Sequence, residues 1–317
     1  MVARDLKFGF IIPQGALQDL EDTTPDKQFQ SIREIVKEGE ALEFDSGWLV
    51  DHLETIPLSH GSCFEGWTLL ASLFSEVKKL RMGHMVTCNL FRTPSYLAKI
   101  SSTIDVMSNG RLEFGIGAGW YEEEFKGFGI PFPSAMERVD RLGEALQVIK
   151  KMWSEDKSNF SGKYYQLDGA INYPKPLQKP HPPILIGGNG KKLLRLVASH
   201  ADRWNPNCPI AIFPEKLQLL REACDKVGRD FHTIEKTYAL NTLVGDNDKT
   251  SGLLKKIEQE HLLFDFEAGM IGTPEFCVKT VQNLRDMGVT YFIFVLPNVS
   301  EVEPLRILAK EVIPRVS

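Results

Sequence analysis

Cysteine and histidine are too few and too scattered in this sequence to indicate a metal site or a disulfide framework. The five cysteines are odd in number and never spaced as C-x-x-C, and the seven histidines include no H-x-x-x-H pair. Structural zinc sites and disulfide-rich domains need such spacing, so both are disfavoured. Unpaired cysteines are typical of a reducing compartment, and we expect a cytoplasmic protein without a bound metal.

Long apolar runs and an excess of positive charge are also missing. No segment approaches the roughly 18 apolar residues of a membrane-spanning helix. The apolar run Phe8–Ile12 is too short for the core of a signal peptide. A net charge of −5 offers no electrostatic footprint for nucleic acid or for an anionic membrane. We therefore expect neither as a partner, and any anionic ligand must be bound by local positive groups.

Apolar runs of strand length alternate with helical patterns along the 317 residues. The predicted strands cover residues 6–12, 47–50, 80–87, 112–116, 184–186, 202–204, 234–244 and 291–295, with a helix after each. Strict alternation predicts a parallel sheet, and eight units over this length favour a closed (β/α)8 TIM barrel over an open doubly wound sheet. We expect one domain over residues 1–317, with a hairpin at about 157–173 and an insertion at about 247–272.

The stretch 111–141 concentrates unusual residues at the end of the fourth predicted strand. Its glycines let backbone N–H groups approach a ligand, although a tight turn without a ligand is equally consistent with them. A Rossmann dinucleotide fingerprint is disfavoured, because Trp120 stands where glycine is needed and no helix is expected to begin at once. The carboxylates Glu122–Glu124 are as consistent with a solvated helical face as with a site. Ser134 and Glu137 predict a capping box at the start of the next helix.

Two other strand ends carry candidate chemistry. The segment 187–192, GGNGKK, places bare backbone N–H groups and two lysines at a predicted helix start, which is typical of a phosphate site. A glycine-rich turn with solvated lysines is the alternative. Asp51 and His52 follow the second strand, where the histidine could donate or accept a proton. A helix-capping aspartate beside a loop histidine is equally consistent, and His84, in mid-strand, is interpreted as a core residue.

Several segments together resemble the luciferase-like monooxygenase superfamily, and specifically its members that depend on coenzyme F420. They are WLVDH at 48–52, residues 83–89 with Arg-Thr-Pro at 92–94, GRLEFGIGAGWYEEEF at 110–125, residues 164–183 and residues 184–205. The resemblance extends over nearly the whole chain. It implies a (β/α)8 barrel with an insertion after the seventh strand, usually a homodimer, with coenzyme F420 or a flavin across the C-terminal mouth.

The resemblance also implies which residues surround the cofactor. It implies a non-proline cis peptide between Met85 and Val86 beside the ring, and a proton-transfer role for His52. The other implied cofactor-binding residues are Asp51, Thr87, Asn89, Gly119, Trp120, Tyr121, Gly188, Asn189, Gly190 and Trp204. Residues 188–190 match the segment that binds the phosphate and side chain, and residues 119–121 match the facing wall. Cys88 departs from the family pattern, because many relatives have proline there.

The function that the resemblance implies is hydride transfer between coenzyme F420 and a small organic substrate, with His52 moving a proton. A second interpretation of the same residues is a two-component monooxygenase that uses FMN and O2. Either enzyme allows a flavin or F420 reductase as a partner. A third hypothesis, from another class, is a flavin-binding barrel without turnover.

Overall fold

The computed structural model describes residues 6–20, 22–245, 269–296 and 302–316. The strands are β1 (Lys7–Ile11), β2 (Ser46–Leu49), β3 (Arg81–His84), β4 (Thr87–Cys88), β5 (Leu112–Gly117), β6 (Ser158–Ser161), β7 (Gln166–Ala170), β8 (Ile184–Gly187), β9 (Arg203–Asn205), β10 (Glu235–Val244), β11 (Gly269–Gly272) and β12 (Val289–Val295). The helices are α1 (Pro25–Ala41), α2 (Gly66–Leu73), α3 (Pro94–Met107), α4 (Glu122–Gly127), α5 (Ala135–Ser154), α6 (Lys191–His200), α7 (Phe213–Val227), α8 (Pro274–Asp286) and α9 (Glu303–Ile307).

Eight of these strands form a closed barrel in which every pairing is parallel. The order around the barrel is β1, β2, β3, β5, β8, β9, β10 and β12, and β12 pairs again with β1. The predicted (β/α)8 barrel is therefore confirmed. Because all eight strands run in the same direction, their C-terminal ends meet at one mouth, where barrel enzymes place their chemistry.

Three features interrupt the simple alternation of strand and helix. The predicted strand 80–87 breaks at Met85–Val86, and the chain then pairs with β5 as the short strand β4. Between α5 and β8, the strands β6 and β7 form an antiparallel hairpin inside the range 157–173. Of the predicted insertion, residues 247–268 lie outside the described residues, and residues 269–272 form β11, which pairs with the end of β10.

Apolar side chains form one layer outside the barrel strands and another inside them. Successive strand residues point to opposite faces, so Phe10 packs outward in the layer shared with the helices, whereas Ile11 points inward. The inner layer consists of Ile11, Trp48, Leu185, Tyr291 and Ile293, all of them buried. This layer fills the barrel and provides the base beneath the mouth.

Charged side chains connect the strands at the N-terminal end of the barrel. Glu113, which is only 1% exposed, accepts hydrogen bonds from the guanidinium groups of Arg81 and Arg203. Arg203 also contacts Glu235 at 2.6 Å, and Glu235 contacts Lys7 at 2.8 Å. These residues lie at or near the starts of β1, β3, β5, β9 and β10. Their contacts therefore tie five strands together at the end away from the mouth.

The helix starts follow local sequence signals. The Ser134 hydroxyl oxygen accepts from the backbone N–H of Glu137 at 3.3 Å, so the predicted cap of α5 is present. The second half of the predicted capping box is not, because the Glu137 carboxylate pairs with Arg141 at 2.7 Å. Proline occupies the first position of α3, where its missing N–H leaves no helical hydrogen bond unmade. Within the described ranges, no helix combines the length and the apolar character that crossing a membrane requires.

Candidate active site

A cavity of about 840 Å³ opens at the C-terminal ends of the barrel strands. The segments that follow β2, β3, β5, β8 and β9 line its sides. The predicted site residues that line it are Asp51, His52, Met85, Val86, Thr87, Gly119, Trp120, Tyr121, Gly188, Asn189 and Gly190. The predicted residues Asn89 and Trp204 do not line it, and both side chains are fully buried in the surrounding structure.

The floor of the cavity includes the peptide between Met85 and Val86, which is cis as predicted. The Val86 side chain lies against glycines of two neighbouring strands. A Cβ at Gly117 would lie 2.6 Å from Val86 Cγ2, and a Cβ at Gly187 would lie 3.0 Å from Val86 Cγ1. Glycine at both positions therefore makes room for Val86. Together with Val295, which also packs on the inner layer, these residues give the cavity an apolar floor.

The loop 187–190 forms another side of the cavity, and the protein itself uses part of its backbone. The Gly188 N–H donates to Asn205 O at 2.8 Å, and the Gly188 carbonyl accepts from Trp204 Nε1 at 2.7 Å. Trp204 thus supports this loop from inside the fold. Among the described residues, no backbone acceptor is found for the N–H groups of Asn189 and Gly190, which stand at the N-terminus of α6. An anion at this position would meet two N–H donors and the positive end of the helix dipole.

The two lysines of the GGNGKK segment do not line the cavity. Lys192 is held against α5, where its Nζ contacts Asp140 at 2.5 Å and the Met136 carbonyl at 3.2 Å. Lys191 is exposed on the outer surface of α6. The expectation that both lysines surround a bound phosphate is therefore not met by their positions.

Arg138 of α5 lines the cavity instead, and the sequence interpretation missed it. Its Nη1 donates to Pro133 O at 2.7 Å and its Nε donates to Gly119 O at 3.2 Å. Its guanidinium also lies over the Phe132 ring, 4.0 Å from the centroid. These contacts hold a positive group at the wall of the cavity. In the sequence, an arginine in the first turns of an amphipathic helix looks the same as an ordinary surface residue.

His52 lines the cavity, and a buried carboxylate holds its ring. His52 Nδ1 is 3.1 Å from Glu124 Oε2, and the two side chains are 15% and 1% exposed. The other oxygen, Glu124 Oε1, accepts from the backbone N–H of Leu53 and from that of Glu54 at 3.3 Å. When Nδ1 donates to Glu124, Nε2 is the ring nitrogen that can accept a proton from a ligand.

Glu124 belongs to the short helix α4, which is separated from the end of β5 by four residues. The intervening residues agree with the expectation that no helix begins at once after the fourth predicted strand. Glu122 and Glu123 are exposed, as a solvated helical face requires, whereas Glu124 faces inward. Trp120 is 59% exposed at the mouth, and its ring lies edge-on to that of His52 at 5.9 Å between centroids. The predicted wall and the proton-transfer candidate are therefore neighbours.

Asp51 lines the cavity, but its carboxylate is used by the protein. Arg92 donates to both oxygens, at 2.7 and 3.0 Å. The Thr87 hydroxyl donates at 2.5 Å and the Cys88 N–H at 2.9 Å. The alternative that Asp51 caps a helix is wrong, because the cap of α2 is Glu65. Asp51 therefore fixes the segment that follows the cis peptide.

His84 is a core residue, as predicted. Its side chain is fully buried and its ring lies 4.4 Å from that of Trp67. Burial lowers the pKa of His84 to about 4, so the ring is neutral near neutral pH. In the part of the chain that the structure describes, no group of three or more histidine, cysteine, aspartate and glutamate side chains could hold a metal ion.

The chain resembles known proteins in both sequence and structure. A family model described as luciferase-like monooxygenase matches residues 6–251. The chain is 26% identical over 306 residues to the F420-dependent glucose-6-phosphate dehydrogenase of Microbacterium testaceum, a match that covers 87% of this chain and 90% of that protein. It is 29% identical over 164 residues to the FMNH(2)-dependent dimethylsulfone monooxygenase of Pseudomonas putida, covering 51% of this chain and 42% of that protein.

A solved structure shares the fold. It is an F420-dependent secondary alcohol dehydrogenase in complex with an F420-acetone adduct, with a TM-score of 0.84 and 21% identity. The superposition covers 98% of this chain and 99% of that chain. The family model matches well over half of the sequence, and the barrel and its mouth agree with it. The chain belongs to the luciferase-like monooxygenase family.

Proposed function

We propose that this chain is an oxidoreductase that transfers a hydride between coenzyme F420 and a small organic substrate. The observation that carries the proposal is that one cavity of about 840 Å³ brings together an apolar floor, two backbone donors, an arginine and a histidine. Relatives named as F420-dependent match 83–90% of this chain, which supports F420 as the cofactor. These relatives are enzymes, which favours turnover over a non-catalytic flavin-binding barrel.

The residues around the cavity fit a flat ring with a phosphorylated side chain. Val86 offers the ring an apolar surface, and the glycines at 117 and 187 leave the space that the Val86 side chain occupies beneath it. The N–H groups of Asn189 and Gly190, together with the Arg138 guanidinium, would hold the anionic side chain. We propose that the buried Asn89 and Trp204 support this site from inside the fold and do not contact the cofactor.

When bound, F420 supplies the atom that accepts or donates the hydride. His52 would move the accompanying proton. If the substrate is an alcohol, its carbon loses a hydride and its hydroxyl loses a proton, which His52 Nε2 accepts. In the reverse direction, the protonated ring returns the proton to the carbonyl oxygen. The apolar floor and the aromatic wall at Trp120 and Tyr121 would limit the access of water to the reacting atoms once cofactor and substrate are bound.

A second candidate function is oxygenation of a substrate with FMN and O2. The specific observation in its favour is the 29% identity to the FMNH(2)-dependent monooxygenase. That match covers only 51% of this chain, so we place it second. The same floor and the same backbone donors would hold FMN. For either function, a flavin or F420 reductase would supply reduced cofactor.

We further propose that the chain is a cytoplasmic homodimer. All five cysteines are free thiols, which fits a reducing compartment. Tyr96 and Met107 of α3 are each 61% exposed, and Ile171 and Tyr173 nearby are 66% and 53% exposed. Lys99 of α3 donates to the Tyr173 carbonyl, which places these apolar side chains on adjacent surfaces. A surface of this kind is typical of a subunit interface, and sedimentation velocity would measure the oligomeric state.

The test of function starts with binding. F420 and FMN are added separately to the purified protein, and equilibrium dialysis measures the Kd of each. We expect F420 to bind more tightly. Binding of FMN alone, together with substrate-dependent O2 consumption, would favour the monooxygenase. No binding of either cofactor would overturn both enzyme proposals.

The role of His52 is tested by His52→Ala. We expect kcat to fall by about 10²–10⁴-fold, the usual contribution of a general acid or base, with the Kd for F420 unchanged. The control is His60→Ala, because His60 is exposed in the same loop and does not line the cavity. This variant should match wild type. Equal losses of kcat and affinity in His52→Ala would remove the proton-transfer role.

A further inference from the structure

Glu124 carries a buried carboxylate that has no role in the hydride and proton transfer proposed above. Its side chain is 1% exposed, and among the described residues no lysine or arginine forms an ion pair with it. The backbone N–H groups of Leu53 and Glu54 donate to Oε1, and Oε2 faces His52 Nδ1 at 3.1 Å. An ionised carboxylate is only an acceptor, so a stable contact at Oε2 requires the proton on Nδ1.

We propose that Glu124 is a positioning residue that keeps the His52 proton on Nδ1 and so leaves Nε2 able to accept the substrate proton; this inference rests on the proposed function. A neutral imidazole carries one proton, and the partner of one nitrogen decides where it resides. Histidine free in water prefers the proton on Nε2, the form that cannot accept another proton there. Because Glu124 also binds the two N–H groups that follow His52, one side chain fixes both the backbone and the ring.

The variant Glu124→Gln should reverse the arrangement. The two backbone N–H groups of Leu53 and Glu54 need an acceptor, so the amide oxygen would occupy the position of Oε1. The amide NH2 would then face Nδ1 and donate to it, which places the His52 proton on Nε2. The variant Glu124→Ala removes both contacts and should give a mixture of forms. The matched control is Glu123→Gln, because Glu123 is an exposed neighbour on the same helix.

The tautomer is measured on cofactor-free protein with 15N-labelled histidine. Two-bond 1H–15N NMR spectra report which ring nitrogen carries the proton, and the His52→Ala spectrum assigns the signal. We expect Nδ1–H in wild type and in Glu123→Gln, and Nε2–H in Glu124→Gln. The same tautomer in wild type and in Glu124→Gln would overturn the proposal. Circular dichroism checks that each variant is folded, and Glu124→Ala provides a second variant.

Kinetics give an independent readout. In Glu124→Gln, kcat should fall by about 10²-fold or more, with the Kd for F420 unchanged. In the double variant with His52→Ala, the glutamine should cause no further loss, because it acts only through His52. A further loss in the double variant, or a wild-type kcat in Glu124→Gln, would overturn the inference. Should wild type itself show no turnover, the proposed function fails, while the NMR spectra still decide the role of Glu124.

Discussion

Replacing Glu113 with alanine tests whether the ionic contacts at the N-terminal end stabilise the barrel. Removing one partner of a buried ion pair costs about 3–5 kcal/mol, because a charge stays buried without its partner. Arg203 is 11% exposed and would retain Glu235 at 2.6 Å. Arg81 is 32% exposed and would retain Gln178 at 2.7 Å. These remaining partners place the expected loss in the free energy of unfolding at the lower end of the range, about 3 kcal/mol.

Urea unfolding followed by circular dichroism measures this loss. The control is Lys7→Ala in the same set of contacts, because Lys7 is 44% exposed and an exposed pair contributes about 0–1 kcal/mol. The affinity of folded Glu113→Ala for F420 should equal that of wild type, since the substitution is at the end of the barrel away from the cavity. A loss no larger than that of Lys7→Ala would refute the reasoning from buried charge.

Two further predictions concern a loop of the cavity and a buried acid. Gly188→Ala should weaken F420 binding about tenfold, or ~1.4 kcal/mol, because φ is +120° and the new Cβ would lie 2.5 Å from Leu193 Cδ2. Gly228→Ala, with φ of +70° at the end of α7, should leave the Kd unchanged in the same dialysis assay. Burial raises the pKa of Asp19 from 3.8 to about 6. The protonated side chain therefore contributes fully to the free energy of unfolding below pH 3.8, and this contribution of ~3 kcal/mol is lost as the pH rises through about 6. Urea unfolding at about pH 4 and about pH 8 measures this loss, which should be absent in Asp19→Asn. The same difference between the two pH values in wild type and variant would show that Asp19 is not its source.

Much of the barrel could be predicted because its signals are local. The helix α7 follows such signals, since Pro214 lies in its first turn and Gly228 ends it with a left-handed conformation. The interruption at Met85–Val86 does not appear in the apolar pattern, because alternate residues from Leu80 to Val86 keep the spacing of a continuous strand. Only the family resemblance indicated the cis peptide there.

For the site, the segments that reach the mouth of the barrel could be predicted from the sequence. Which side chains face one another could not be predicted, because His52 and Glu124 are 72 positions apart and three consecutive glutamates read alike in the sequence. Arg138 was missed because an arginine in the first turns of an amphipathic helix looks like an ordinary surface residue in the sequence. Asn89 and Trp204 belong to segments near the mouth, but their side chains point into the fold, a direction that depends on the exact strand ends.

Val86 and the glycines at 117 and 187 come from three different parts of the chain, yet they pack against one another at the floor of the cavity. A bulkier residue in place of Val86 would collide with two neighbouring backbones, and a smaller one would leave a hollow under the ligand. A change in the depth of the cavity therefore requires coordinated substitutions at these three positions. In relatives that bind ligands of different thickness, the residues at these three positions should covary. The combination present in each relative should then correlate with the shape of its ligand.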